Sequence, residues 1–269
     1  MSTLYIVGTP IGNLEDITQR ALRILRDVAL IAAEDTRKAH TLLHRYDIHT
    51  PVTSFFEGNE RRKLAQVLTS LAGGDVALIS DAGMPGISDP GYPLIRAAIE
   101  QGYAVVAIPG PSAHTAALVV SGLPTDRFFF QGFLPRKAME RAAVLADLAG
   151  LTATLIFYEA PHRLPATLAA LRQGLGNRQL ALCRELTKRF EEVWRGDLDA
   201  ALAHVAAVAP RGEYTLVVAG AAVTATVWDE AQVRRVLDEY LAQGMSRSQA
   251  AREVAALCNW KKRAVYALE

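Results

Sequence analysis

Leu4-Tyr5-Ile6-Val7-Gly8-Thr9-Pro10-Ile11-Gly12-Asn13-Leu14 is an apolar run that breaks into a glycine and proline turn almost at the start of the chain. Ligand sites in α/β proteins lie beyond the carboxyl ends of strands, so a strand ending in small residues marks where a ligand can approach. Gly8 and Gly12 permit close backbone contact, Pro10 stiffens the turn, and Asp16 to Thr18 are placed to open a helix. The spacing Gly-x-x-x-Gly is not the Gly-x-Gly-x-x-Gly of dinucleotide-binding folds, which removes the main support for a nicotinamide or flavin.

Outward from this strand, short runs rich in Val, Ile and Phe alternate with longer helical patterns. Leu4–Gly8, Val28–Ala33, Val52–Phe56, Val76–Ser80 and Ala104–Ile108 read as strands, and Ile17–Leu25, Arg37–Arg45, Arg61–Leu71 and Leu94–Gln101 as helices. This alternation predicts a largely parallel sheet covered on both faces. A turn-rich stretch, Ser121 to Asp126, interrupts it. A second set of strands follows at Phe128–Gly132, Thr154–Tyr158, Leu180–Arg184, Val193–Arg195 and Tyr214–Gly220, with helices at Lys137–Leu148, Leu164–Leu175 and Leu198–Val208. After a linker at Ala221–Thr226 the pattern is wholly helical: Glu230–Gln243, Ser246–Cys258 and Lys261–Leu268. The expected organisation is therefore an α/β lobe over 1–121, a second α/β lobe over 122–226, and a small all-helical module over 227–269.

Composition narrows the class. The 269 residues are 51% hydrophobic, enough for a large core, and the net charge of +1 excludes a uniformly basic nucleic-acid binder. Cys183 and Cys258 have no Cys-x-x-Cys partner, which points to reduced, structural thiols. There is no apolar stretch of about 18 residues and no charged-then-apolar leader, so a soluble cytoplasmic protein without membrane contact is expected. His40 and His44 stand four apart on a helix, a spacing that can bind metal, but no third ligand follows at a matching interval, so no metal is expected.

Two more loops repeat the opening design. Ser80-Asp81-Ala82-Gly83-Met84-Pro85-Gly86-Ile87-Ser88-Asp89-Pro90-Gly91 and Pro109-Gly110-Pro111-Ser112-Ala113-His114 each follow a strand. Three such loops at three strand ends should face one crevice, offering amides and carbonyls at fixed angles. The run Glu34-Asp35-Thr36-Arg37 ends the second strand; Asp35 or Thr36 caps a helix on the ordinary reading, although the same strand end admits a catalytic role. Tyr158-Glu159-Ala160-Pro161-His162-Arg163 and Arg184-Glu185-Leu186-Thr187-Lys188 put dense charge after strands of the second lobe, where a solvated rim is the competing reading. In the last module, Ser246 to Ala251 caps a helix and Asn259-Trp260 separates it from a basic one, in the outline of a helix-turn-helix. From Met245 onward, Arg247, Arg252, Lys261, Lys262 and Arg263 face only two acidic residues, which makes them candidates for RNA contact; a plain packing module has a similar pattern.

Together these segments resemble the 2′-O-ribose cytidine methyltransferases of small-subunit ribosomal RNA, a branch of the tetrapyrrole-methylase-like superfamily. The resemblance runs over nearly the whole chain, and the Glu-Asp-Thr-Arg and Glu-Ala-Pro-His-Arg segments point to this branch. It implies S-adenosylmethionine folded into a cleft between two α/β lobes, transfer of its methyl to a cytidine ribose in the decoding centre of 16S rRNA, presented as free rRNA or in the ribosomal subunit, and a homodimer. By motif it implies cofactor contacts at Pro10, Met84, Ile87, Ser112 and Ala113, and near Glu159 and Leu186. Many superfamily members carry an aspartate where Met84 aligns, so Asp81 or backbone atoms are left to fill that role. A ribose hydroxyl must lose its proton to become a good nucleophile. Glu34, Asp35 and Glu185 are the candidate carboxylates, with Arg37, Arg163 and Lys188 as cations to steady the developing oxyanion. The alternatives are methylation of a small tetrapyrrole-like acceptor, and a non-catalytic RNA-binding protein that uses the cleft as a sensor.

Overall fold

The computed structural model describes residues 2–222, 228–258 and 260–268. Two compact units divide the chain, Met1–Ala221 and Ala222–Glu269. Of the expected linker Ala221–Thr226, residues 223–226 lie outside the described residues, as does Asn259 in the last module.

In the first unit, β1 (Thr3–Val7), β2 (Leu30–Ala33), β3 (Val52–Ser54), β4 (Val76–Ile79) and β5 (Ala104–Ile108) form an all-parallel sheet of order β3-β2-β4-β1-β5. Helices α1 (Gln19–Asp27), α2 (Thr36–Arg45), α3 (Glu60–Gly73) and α4 (Tyr92–Glu100) connect the strands. Side chains on a strand alternate between its faces, and the core follows that period. Leu4, Ile6, Val76 and Leu78 pack with Val67, Leu71, Leu94 and Ala98 of α3 and α4. Val7, Ala77 and Ile79 pack on the opposite side with Ala21, Leu25, Leu42 and Leu43 of α1 and α2. The four residues of β4 are all buried, as expected of a central strand covered on both faces. Helix α1 begins two residues later than the apolar spacing suggests, because Thr18 accepts the Ala21 amide and fixes the N-cap there.

The second sheet, β6 (Phe128–Phe133), β7 (Thr154–Glu159), β8 (Gln179–Arg184), β9 (Glu192–Asp197) and β10 (Tyr214–Val218), has the order β6-β7-β10-β8-β9. Only β6 and β7, which a helix connects, run parallel; the other pairs are antiparallel. One face carries α6 (Ala138–Leu148), α7 (Leu164–Leu175) and α8 (Leu198–Ala207) over Leu155, Phe157, Leu182 and Leu216. The other face carries α5 (Ala113–Ser121), whose Ala117 and Leu118 meet Ile156, Ala181, Cys183 and Val217. Helix α5 has no charged residue and so no polar face to reveal it by periodicity. It precedes the expected lobe boundary yet packs on the second sheet, and so straps the two sheets together.

The second unit holds α9 (Glu230–Ala242), α10 (Arg247–Leu257) and α11 (Lys262–Tyr266). Reciprocal capping boxes, Asp229 with Gln232 and Ser246 with Gln249, start α9 and α10. Val233, Leu237, Ala250, Ala251, Val254 and Val265 form its core, closed by Trp260, whose Nε1 donates to Trp228 O at 2.9 Å.

Candidate active site

The loops after β1, β4 and β5 are locked together by backbone. Thr9 and Gly83 exchange hydrogen bonds of 2.9 and 3.0 Å, and Thr9 Oγ1 donates to Ser80 O at 3.1 Å. Gly8 N donates to Ile108 O at 3.1 Å, and a Cβ on Gly8 would lie 2.8 Å from Gly110 Cα, so only glycine allows the first and third loops to meet. The second sheet brings the carboxyl ends of β7 and β8 and the start of the antiparallel β10 to the same place. Between them lies a cavity of about 440 Å³, within the range of sites that enclose a small molecule.

The structure brings Met84, Ile87, Ser112, Ala113, Glu159, Glu185, Leu186 and Lys188 to this one cavity. Pro10, Glu34, Asp35 and Asp81 border a smaller hollow of about 190 Å³, where Lys38 bonds Asp81 at 2.8 Å. Arg37 and Arg163 line neither. Arg37 projects into solvent with its guanidinium on Asp35, and Arg163 donates to Leu134 O at 2.7 Å and pairs with Glu159 at 3.3 Å. The Glu159 carboxylate is fully buried and committed to Ala160 N, Thr167 Oγ1 and Arg163, so its carboxylate shapes the strand end and has no lone pair turned to solvent.

Electrostatics separates the carboxylates. The Arg37 guanidinium and amide hold Asp35 down to about 2, a weak base. Glu185 is lowered by the Glu213 amide and by Lys188, while burial raises Glu34. Lys188 stays charged because its bonds to Glu213 (2.8 Å) and Glu185 (2.9 Å) outweigh burial. Asp89, in the second loop and lining the cavity, is pushed up to about 6 by burial, with Glu34 and Asp81 adding repulsion against the Ser80 hydroxyl bond that favours its charge.

In the sequence nothing local distinguishes Asp89 from an ordinary turn aspartate. Phe130, by its strand position a core residue or a stacking platform for a base, belongs to an aromatic wall of this cavity. Phe133 and Tyr158 line the cavity in edge contact at 5.7 Å between centroids, Phe130 meets Tyr158 at 4.9 Å, and His114 stacks on Phe130 at 4.6 Å. The Tyr158 hydroxyl accepts the His114 amide at 3.2 Å, and burial pushes its phenol up to about 12. Strain concentrates here as well: Ser88, Glu185 and Thr187 have φ of 60°, 48° and 66°, left-handed values that non-glycine residues adopt at a cost.

The donor set suits an amphipathic, cationic ligand such as S-adenosylmethionine. Ile11, Met84, Ile87 and Leu186 supply apolar walls, while Asp89, Ser112 and Glu213 supply acceptors at the edges. In the second unit, Arg252, Lys261, Lys262 and Arg263 are exposed and Arg247 half-buried. Arg247 Nε donates to Tyr266 O, Lys262 to Ser248 Oγ, and Arg252 pairs with Glu253. Among the described residues, no group of three or more His, Cys, Asp or Glu is arranged to hold a metal ion, and no helix is long and apolar enough to cross a membrane.

Residues 3–202 match the family model for Tetrapyrrole (Corrin/Porphyrin) Methylases, and residues 228–269 match the RsmI C-terminal HTH domain. Ribosomal RNA small subunit methyltransferase I of Synechocystis is 46% identical over 100% of this chain and 97% of its own length. The protein of the same name from Bacillus subtilis is 40% identical over 99% and 93%. Among solved structures, uroporphyrin III C-methyl transferase from Thermus thermophilus has a TM-score of 0.58 at 16% identity, covering 81% of this chain and 97% of that one. The methyltransferase CobJ has a TM-score of 0.60 at 18% identity, covering 82% and 95%. At those identities the two structures speak for the fold alone.

Proposed function

The chain belongs to the tetrapyrrole methylase family, and from that premise we propose that it transfers a methyl group from S-adenosylmethionine to the 2′-hydroxyl of a cytidine ribose in the decoding centre of 16S rRNA. The observation that carries this reading is the single cavity at the meeting of three Gly/Pro loops and the strand ends of a second sheet, in a chain whose full-length relatives are named as small-subunit ribosomal RNA methyltransferases. The helical C-terminal module favours RNA over a small tetrapyrrole, since a small acceptor gains nothing from a separate helical unit whose basic residues outnumber its acidic ones from Met245 onward.

S-adenosylmethionine, when bound, supplies a methyl carbon on a sulfonium leaving group. Met84, Ile87, Ser112, Ala113 and Leu186, which line the cavity, would hold it and exclude water, with Glu159 keeping its strand end in place. Pro10 and Asp81 support the cleft from the far side of the Thr9–Gly83 bridge. Lys188, kept charged between Glu185 and Glu213, contributes positive potential where negative charge develops on the acceptor oxygen. Holding the acceptor hydroxyl against the bound cofactor would account for much of the rate.

The reading includes a homodimer. Apolar side chains left exposed at the end of α5 and the start of β6 support it: Val119 at 67%, with Val120, Phe128 and Phe129. Light scattering on the purified protein checks the mass. For the activity, labelled S-adenosylmethionine is offered with small ribosomal subunits from cells lacking the protein, and separately with a corrin or porphyrin precursor. Label on one cytidine ribose is expected. Label on the tetrapyrrole alone favours the alternative acceptor, and cofactor binding without transfer to either favours the sensor.

A further inference from the structure

The connection from β8 to β9 forms a tightly bonded arc beside the cavity. Glu185 N donates to Glu213 O at 2.9 Å, Lys188 N to Glu185 O at 3.0 Å, and Glu191 N to Lys188 O at 3.1 Å. The Glu191 carboxylate accepts the Thr187 amide at 2.5 Å, and a Cβ on Gly212 would lie 2.4 Å from Glu185 Cγ, so the neighbouring loop closes on the arc. At Lys188 the arc lines the cavity; two residues on, Phe190 is 64% exposed. The Arg189 guanidinium lies over that ring, 5.6 Å from its centroid, and the attraction of cation for ring face steadies it.

The charges around the ring answer one another. Lys188 bonds Glu185 and Glu213, Arg184 bonds Glu192 at 3.2 Å, and Glu191 is spent on the Thr187 amide. Residues 184–192 and 211–213 carry four basic and four acidic side chains, so this rim has no excess charge with which to draw phosphate. Nor does it suit a protein partner: Lys188, Arg189, Glu191 and Glu192 flank the ring, whereas the centre of a protein interface is depleted of charge. What the rim offers is one aromatic face braced by a guanidinium, and every unpaired base has a face to match it.

We propose that Phe190, backed by Arg189, stacks an unpaired base of the substrate RNA close to the acceptor nucleotide, resting on the ribose-methylation reading above. Two residues of chain beyond Lys188 reach at most about 7 Å. That is about two base rises of 3.4 Å, which puts the stacked base within about two nucleotides of the acceptor. Phe190 touches no reacting atom; it is a positioning residue that holds the strand at the mouth of the cavity.

The test is methylation of small subunits from cells lacking the protein, by the full-length enzyme at saturating S-adenosylmethionine, with KM for subunits and kcat read separately. Phe190→Ala should raise KM about 5- to 150-fold, the loss of one base stack, with kcat and calorimetric cofactor affinity within about threefold. Phe190→Trp should stay within about threefold of wild type, while Phe190→Leu, which keeps apolar bulk without a π face, should fall with the alanine variant. The factor lost in Phe190→Ala should be the same at low and at moderate salt, because stacking releases no counterions. Thermal midpoints should agree within about 2 °C, since the ring is at the surface. A Phe190→Ala enzyme with KM within about twofold of wild type overturns the proposal. So does Phe190→Leu matching Phe190→Trp, which would assign the ring to apolar contact with a protein, or a smaller mass for Phe190→Ala by light scattering, which would assign it to a second copy of this chain. A wild type that binds cofactor and leaves subunits unmethylated overturns the parent reading and this one with it, and is told apart because the wild type itself then fails.

Discussion

The amide of Asn13 donates a 3.1 Å hydrogen bond to Thr187 Oγ1, joining the loop after β1 to the loop after β8 across 174 residues of sequence. Beside it, a Cβ on Gly12 would lie 2.4 Å from Lys188 Cγ, so the two loops close the cleft in direct contact. One partly exposed hydrogen bond is worth about 1 kcal/mol. Thr187→Val should therefore lower stability by about that much and, by loosening the closure of the cleft, weaken S-adenosylmethionine binding by up to roughly fivefold. Calorimetric titration of the variant measures this, and an unchanged affinity would detach the contact from ligand binding.

Gly8→Ala should be more damaging than its single methyl suggests. The new Cβ meets Gly110 Cα at 2.8 Å and Gly110 N at 3.0 Å, which are backbone atoms that cannot rotate away. Overpacking of this kind costs about 1–3 kcal/mol. Urea unfolding should show that loss together with impaired cofactor binding; wild-type stability would mean that the third loop yields freely.

Glu159→Ala tests whether that carboxylate serves the ligand or the fold. It strips the partners of Thr167 Oγ1, Ala160 N and Arg163 from a fully buried position, and breaking a buried ion pair costs about 3–5 kcal/mol. The expected outcome is a large drop in thermal midpoint. A stable variant whose only defect is a raised cofactor KM would place the carboxylate at the ligand instead.

Cys183 lines the cavity but should not react. Burial pushes its thiol up to about 12, and it donates to Ala117 O at 3.9 Å, so almost no thiolate exists at pH 8. Iodoacetamide at that pH should leave Cys183 unlabelled in the folded protein and label it in urea, as read by mass spectrometry.

Removal of residues 222–269 should leave cofactor affinity within about twofold while weakening small-subunit binding and flattening its salt dependence, because contacts with phosphate release counterions. Equal affinity and equal salt slope before and after deletion would deny the helical unit a role in RNA contact.

Sequence by itself determined most of the local elements, α5 excepted, and the expectation of a shared crevice. The β-α alternation, the alternating faces of β1 and β4, the N-caps at Thr18, Asp35 and Ser246, and the Gly/Pro loops follow from spacing, steric freedom and short-range hydrogen bonds within a few residues. Only the tertiary structure decided that β8 to β10 run antiparallel, that α5 lies on the second sheet, and that Glu159 turns inward. It also set Asp35 and Asp89 apart, two aspartates that read alike in a string of letters. One sits beneath a guanidinium and is held at about 2; the other is shielded from water near Glu34 and Asp81 and rises to about 6. Desolvation and long-range charge depend on neighbours tens of residues away, and those neighbours exist only once the chain has folded.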